Sequence, residues 1–271
     1  MGRDKDLQAV SDAIATCDAV VISGGAGSGK SRLAAQYTHQ AGGPGFWTAA
    51  GSGVVETLVG VAAALGVRLV ERADEEIAGE VQRRLAEVPP ETLWVVDNLE
   101  DIELVNGLLS ASGSVRLLIT TRDSRRNLLP ATVAYHFTEV LQDQPAIDLL
   151  RSRSDTVRDH PALARIVEKV GRLPLALEVL AARLAEPRRT PESVLAQLDR
   201  APTAIQMDAF EEASGASVPR AEAEGVFAAI AGTWRTWAPM TAAPSPAWPT
   251  SPMRPCRTRW PPRLPASTAR S

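Results

Sequence analysis

Eight consecutive residues carry the strongest chemical signal in the sequence. Gly24-Gly25-Ala26-Gly27-Ser28-Gly29-Lys30-Ser31 places two glycines five positions apart and follows the second at once with a lysine and a hydroxyl residue, which is the P-loop pattern. Glycines let a backbone close around a phosphate. The N–H groups freed in the first turn of a following helix point at that phosphate, and the helix dipole favours its charge. Lys30 would neutralise β- and γ-phosphates, and the Ser31 hydroxyl would ligate Mg²⁺. A glycine-rich strand-to-helix turn without a ligand is the plainer reading of the same residues. The apolar run before the loop and the helical pattern after it favour the phosphate.

A P-loop that works with Mg²⁺ needs a second oxygen ligand at the end of a neighbouring apolar strand. Asp97 closes Leu93-Trp94-Val95-Val96 and meets that requirement; its alternative role is to cap the helical stretch that runs on to about Leu109. The next residue is Asn98 and not an acid, so a general base here falls to Glu100 or Asp101, and hydrolysis is expected to be slow or absent. Thr120-Thr121-Arg122 ends another apolar run and puts a permanent cation at the carboxyl edge of a sheet, where Arg122 could sense a γ-phosphate. A solvated loop arginine is the other reading of Arg122. Arg125 and Arg126 have no such positional argument and are expected at the surface.

These residues need a scaffold, and the apolar spacing supplies one. Leu7, Val10 and Ile14 predict a helix over 4–16, and a strand follows at Ala19-Val20-Val21-Ile22. A helix over 30–41 stops at Gly42-Gly43-Pro44-Gly45, ahead of a second strand at Phe46-Trp47-Thr48. Helices are expected over about 54–65 and 74–87, a third strand from Thr92 to Val96, a fourth from Val115 to Ile119 and a weaker fifth from Thr132 to Phe137. Nearly all-apolar strands alternating with helices predict an α/β fold with a parallel sheet covered on both faces. From about residue 143 only helical spacing remains, at Ala146–Leu150, Leu163–Val170, Leu173–Leu184 and 191–199, with Pro191 suited to a first turn. A small helical subdomain is expected there.

Composition narrows the class. The 271 residues are 45% hydrophobic and 23% charged, enough to bury a core. Leu58 to Val67 is the longest apolar stretch, far short of the roughly 20 residues that span a bilayer, and the N-terminus MGRDKDLQAV has charges where a signal peptide has an apolar centre. With only Cys17 and Cys256, no disulfide framework is available, and a cytoplasmic location is expected. The formal net charge of −3 averages two different parts: residues 233–271 hold six Arg, nine Pro and four of the six Trp but no Lys, Asp or Glu. That tail carries +6 and the body −9. An acidic body argues against a broad nucleic-acid face.

Taken in order, five segments resemble the NB-ARC division of the STAND ATPases, signal-transduction switches of the wider AAA+ grouping, with bacterial transcriptional regulators as the most similar in kind. They are Gly2-Arg3-Asp4 with Leu7, the GGAGSGKS loop, LWVVDNLED, RLLITTRD and Gly171-Arg172-Leu173-Pro174-Leu175-Ala176-Leu177. The resemblance implies a P-loop NTPase fold with a five-stranded parallel sheet over residues 1–140, followed by a helical ARC subdomain over 141–200. ATP or ADP with Mg²⁺ would lie between them, the only cofactors implied. Gly25, Ala26, Gly27, Ser28, Gly29, Lys30 and Ser31 would wrap the phosphates with Arg32 next in line, Ser31 and Asp97 would hold Mg²⁺, Arg122 would sense the nucleotide state, and Arg3 and Pro174 would line the adenine pocket. Read without the family, GRLPLAL is a helix break and a new helix start. The resemblance also implies self-association in the ATP state, and DNA contact only through domains beyond this chain.

Members of that family continue from the helical subdomain into a winged-helix domain and then often into repeats, and many also carry an effector domain before the ATPase. Here residues 201–232 leave room for only a remnant or linker, so a truncated switch is expected. Residues 233–271 are expected to be disordered. They allow a polyproline segment at Pro244-Ser245-Pro246 and Pro261-Pro262, a basic arm with interleaved Arg and Trp, or out-of-frame translation of a GC-rich gene, which is the favoured reading. The functional alternatives to a slowly hydrolysing nucleotide switch are a P-loop kinase or other phosphotransferase, and a non-functional frameshifted fragment.

Overall fold

A computed structural model describes residues 2–67, 74–153, 160–186 and 189–199, which fall into two compact units. The first holds residues 5–23 and those described between 31 and 137; the second holds residues 2–4, Gly24–Lys30 and those described from 138 to 199. The expectations for residues 200–271, the winged-helix remnant and the tail, lie outside the described residues.

The first unit is a five-stranded sheet in three layers. Its strands are β1 (Ala19–Ser23), β2 (Gly45–Ala49), β3 (Leu93–Leu99), β4 (Arg116–Thr121) and β5 (Val133–Phe137), in the order β2-β3-β4-β1-β5, with every pair parallel. Helices α1 (Asp4–Thr16) and α2 (Lys30–Ala41) cover one face, and α3 (Val54–Ala64), α4 (Asp74–Glu87) and α5 (Val105–Ser112) cover the other. The period of two decides which side chain goes where. Val20, Ile22, Leu93, Val95 and Leu118 pack with Leu7, Val10, Ile14, Leu33 and Tyr37. Ala19, Val21, Trp94, Val96, Leu117 and Ile119 pack with Leu58, Val61, Val81, Leu85, Val105 and Leu108. Sandwiched this way, all five residues of β1 are buried, which is why its sequence shows no polar alternation. Each fully buried Leu, Ile or Val contributes on the order of 2 kcal/mol relative to exposure. Trp94 is accommodated because its indole N–H finds a partner: Nε1 donates to Thr48 Oγ1 at 2.8 Å, and the ring stacks on Phe46 at a centroid distance of 5.9 Å.

The expected third strand is longer than its apolar run, continuing through Asp97 and Asn98 to Leu99. The helix after it is also shorter than expected. A 3₁₀ turn, Ile102–Leu104, comes first, capped by Asp101 whose carboxylate accepts from Glu103 N, and α5 begins at Val105. Asp97 is therefore a strand residue and not the cap of that helix.

The second unit contains α6 (Asp143–Arg151), α7 (Ala162–Lys169), α8 (Pro174–Leu184) and α9 (Pro191–Asp199). One core unites them, with Ala146 and Leu150, Leu163, Ile166 and Val167, Leu177, Leu180 and Leu184, and Val194, Leu195 and Leu198 all buried. Between α7 and α8 the chain turns through two left-handed residues, Gly171 at φ +59° and Arg172 at φ +58°. Arg172 N donates to Val167 O at 3.0 Å and Gly171 N to Glu168 O at 3.1 Å, closing the helix end. Leu173 then extends, and Pro174 starts α8, where its fixed φ suits the first turn and its missing N–H costs nothing.

Candidate functional site

The P-loop lies in the second unit with two segments remote from it in sequence. Gly27 and Gly29 adopt φ +74° and +93°, the left-handed region that glycine enters without strain. Leu175 N donates to Gly27 O at 3.2 Å, so the first turn of α8 is hydrogen-bonded to the loop. A Cβ on Gly29 would stand 3.8 Å from Pro174 Cγ, and one on Gly27 only 3.0 Å from Leu175 Cβ. From the N-terminal side, Arg3 Nη2 donates to Ser28 O at 2.7 Å. Arg3, Gly25 to Lys30 and Pro174, which the family pattern assigns to one ligand, are thus brought together. Gly25, Ala26, Gly27, Gly29 and Pro174 are half-buried.

Lys30 is buried, and its ammonium donates to Gly24 O and Gly25 O, each at 2.8 Å. Ser28 Oγ is buried with no hydrogen-bond partner among the described residues. A loop with an inward-turned cation and an orphaned donor suits an anionic, oxygen-rich group such as a phosphate chain.

A separate cluster of oxygen ligands lies in the first unit. Ser31, exposed in the first turn of α2, donates its hydroxyl to Asp97 Oδ1 at 2.7 Å. Thr120, buried in β4, donates to the same oxygen at 2.5 Å. Hydroxyl and carboxylate oxygens are the hard donors that Mg²⁺ takes, so this pair fits the metal. Arg32 is exposed beside Ser31.

Arg122 is exposed at the end of β4, and its neighbours on both sides are fixed. Thr121 Oγ1 donates to Leu99 O at 2.6 Å and accepts from Asp123 N at 2.9 Å. Asp123 in turn accepts from Ile102 N at 3.2 Å, while its carbonyl accepts from Ser23 Oγ at 2.9 Å. The backbone is thus held on both sides of Arg122 at the carboxyl end of β4.

Spacing did not reveal Arg125 as a hub. It is exposed as expected, yet its guanidinium pairs with Asp123 at 2.6 Å, Asp101 at 2.9 Å and Glu103 at 3.0 Å, tying the loop after β4 to the loop after β3. The hydrogen bonds from Arg125 hold the Asp123 carboxyl below its ordinary value, and the Arg125 guanidinium is raised in turn. Asp101, named as a possible base, is committed to Arg125 and to its capping bond. Glu100 is exposed. No helix among the described residues is long and apolar enough to cross a membrane.

No protein-family model matches the chain, and no curated protein matches it either. Solved structures do. A signal transduction ATPase with numerous domains (STAND) protein with a tetratricopeptide repeat sensor, from Pyrococcus horikoshii, aligns with 79% of this chain at 16% identity and a TM-score of 0.50. The match covers 34% of that protein, so this chain spans about a third of its length. A Walker-type ATPase of Pyrococcus abyssi aligns with 78% of this chain and 75% of its own, at 14% identity and a TM-score of 0.54. These likenesses establish the fold, a five-stranded parallel α/β sheet flanked by helices as in P-loop ATPases.

Proposed function

We propose that the chain is an adenine-nucleotide switch of the NB-ARC division of STAND ATPases, of the kind found in transcriptional regulators. The observation that carries the reading is the convergence of Arg3, the P-loop and the Leu173-Pro174-Leu175 start of α8 within one compact unit. A generic phosphate loop needs neither partner, whereas a site that reads an adenine nucleotide and reports it to a helical subdomain needs both.

In this reading the Gly25–Ser31 backbone and the Lys30 ammonium hold the phosphates of ATP or ADP, with Arg32 at the edge of the loop. Arg3 and Pro174 border the adenine, Pro174 offering a ring face and Arg3 fixing the loop through Ser28 O. Ser31 Oγ and the Asp97 carboxylate hold Mg²⁺, which when bound neutralises charge on the phosphate oxygens. Arg122, exposed at the end of β4, senses the γ-phosphate. Hydrolysis is slow because Asn98 stands where a base would follow Asp97 and an amide cannot take a proton from water. The acid at position 101 is held by Arg125. The chain acts in the cytoplasm, self-associates in its ATP-bound state, and leaves DNA contact to other domains of such regulators.

A P-loop kinase would need a mobile arginine-bearing lid near the sheet edge. Residues 122–126 offer the arginines, but Arg125 is tied to three carboxylates, which supports the switch instead. Incubation with γ-labelled ATP and a panel of small-molecule and protein acceptors separates the two. Slow release of free phosphate with no labelled product is the expected result, and stoichiometric labelling of an acceptor would overturn the switch reading.

A further inference from the structure

Beside Asp97 the sheet departs from regular pairing. Val96 pairs with Ile119 and Leu99 with Thr121, so β3 spends one residue more than β4 over the same interval, a β-bulge. Asp97 and Asn98 together stand opposite Thr120. Asn98 absorbs the extra residue in the left-handed region at φ +61°, which asparagine tolerates better than most side chains. Thr120 ties the bulge to β4 from within. Thr120 Oγ1 accepts the Asn98 N–H at 2.9 Å and donates its own hydrogen to Asp97 Oδ1 at 2.5 Å, and the residue is 1% exposed.

From this we infer that Thr120 is the positioning residue of the metal-binding carboxylate: its hydroxyl locks the bulge and orients Asp97 toward Ser31, presetting the Mg²⁺ ligand pair before any nucleotide arrives. The inference rests on the nucleotide-site reading above. A buried hydroxyl that donates one hydrogen bond and accepts another is fixed in its own rotation, and the bond it donates holds the position of Asp97 Oδ1. Without the hydroxyl, the Asn98 N–H loses this acceptor, and among the described residues Asp97 keeps the exposed Ser31 hydroxyl. Outer groups that orient a metal ligand account for about 10–100-fold in metal affinity.

The test titrates a fluorescent ADP analogue into wild type, Thr120→Val and Thr120→Ser, with Mg²⁺ and with EDTA, and follows Mn²⁺ binding to the ADP complex by electron paramagnetic resonance. Thr120→Val keeps the side-chain shape and removes the hydroxyl. It is expected to bind ADP in EDTA as wild type does, to lose most of the gain that Mg²⁺ brings, and to weaken Mn²⁺ by about 10-fold or more. Thr120→Ser restores both. If Thr120→Val does not yield folded protein, Thr120→Ala is read the same way. An unchanged Mg²⁺ gain in the hydroxyl-free variant overturns the inference alone. Failure of folded wild type to bind ADP under either condition overturns the nucleotide-site reading and this inference with it.

Discussion

Asp97 Oδ1 receives two hydroxyl hydrogens, from Ser31 and Thr120, while Lys30 is drawn inward onto carbonyls of its own loop. These arrangements are local, and their legibility in the sequence follows from how local they are. Gly24 to Ser31 and Asp97 stand out because a phosphate loop and a strand-end acid are fixed by short spacing. Thr120 showed itself only as a hydroxyl at a strand tip. Its link to Asp97 depends on a bulge and on the left-handed backbone of Asn98, which no periodicity encodes. Gly27 offers a direct check of the loop's conformation. At φ +74°, with Leu175 Cβ 3.0 Å from where its own Cβ would be, Gly27→Ala is expected to destabilise the protein by about 1–2 kcal/mol, seen as a lower denaturation midpoint in urea with an unchanged slope.

At the scale of elements, the central strands β1, β3 and β4 were visible as apolar runs because both faces of the sheet are covered there, while the half-exposed edge strand β5 gave the weaker signal. What escaped was β3 beyond Val96, where the polar residues Asp97 and Asn98 continue the strand. The junction between the loops after β3 and β4 escaped too, because Arg125 meets Asp101 and Glu103 across the fold rather than along the chain. That junction carries a pH signature. The bonds from Arg125 lower the Asp123 carboxyl below 3.8 in the folded protein, so the unfolded chain takes up this proton at the higher pH. Asp123 therefore contributes stability above the ordinary value, and the contribution is lost as pH falls through the folded one. Asp123→Asn is expected to melt below wild type at neutral pH, with the gap narrowing between about pH 5 and about pH 3. A constant gap across that range would contradict the assignment.

At the scale of the whole molecule, the described residues form two units, each with its own hydrophobic core. The helical run after residue 143 could be read from spacing. The membership of residues 2–4 and Gly24–Lys30 in the same unit as the helices could not, since it depends on contacts between segments far apart in sequence. Leu180 sits at 0% exposure in the helical core, and Leu180→Ala should cost about 2–5 kcal/mol, read as faster amide exchange through α6 to α9. Every role proposed for the site depends on nucleotide binding at Gly24 to Ser31. Calorimetric titration of ADP with Mg²⁺ into wild type and Lys30→Ala tests it most directly. Wild type is expected to bind saturably and one-to-one, and the variant to lose about 100-fold or more, the worth of one or two charge-assisted hydrogen bonds to phosphate. Absence of binding by folded wild type, or undiminished binding by Lys30→Ala, would contradict it.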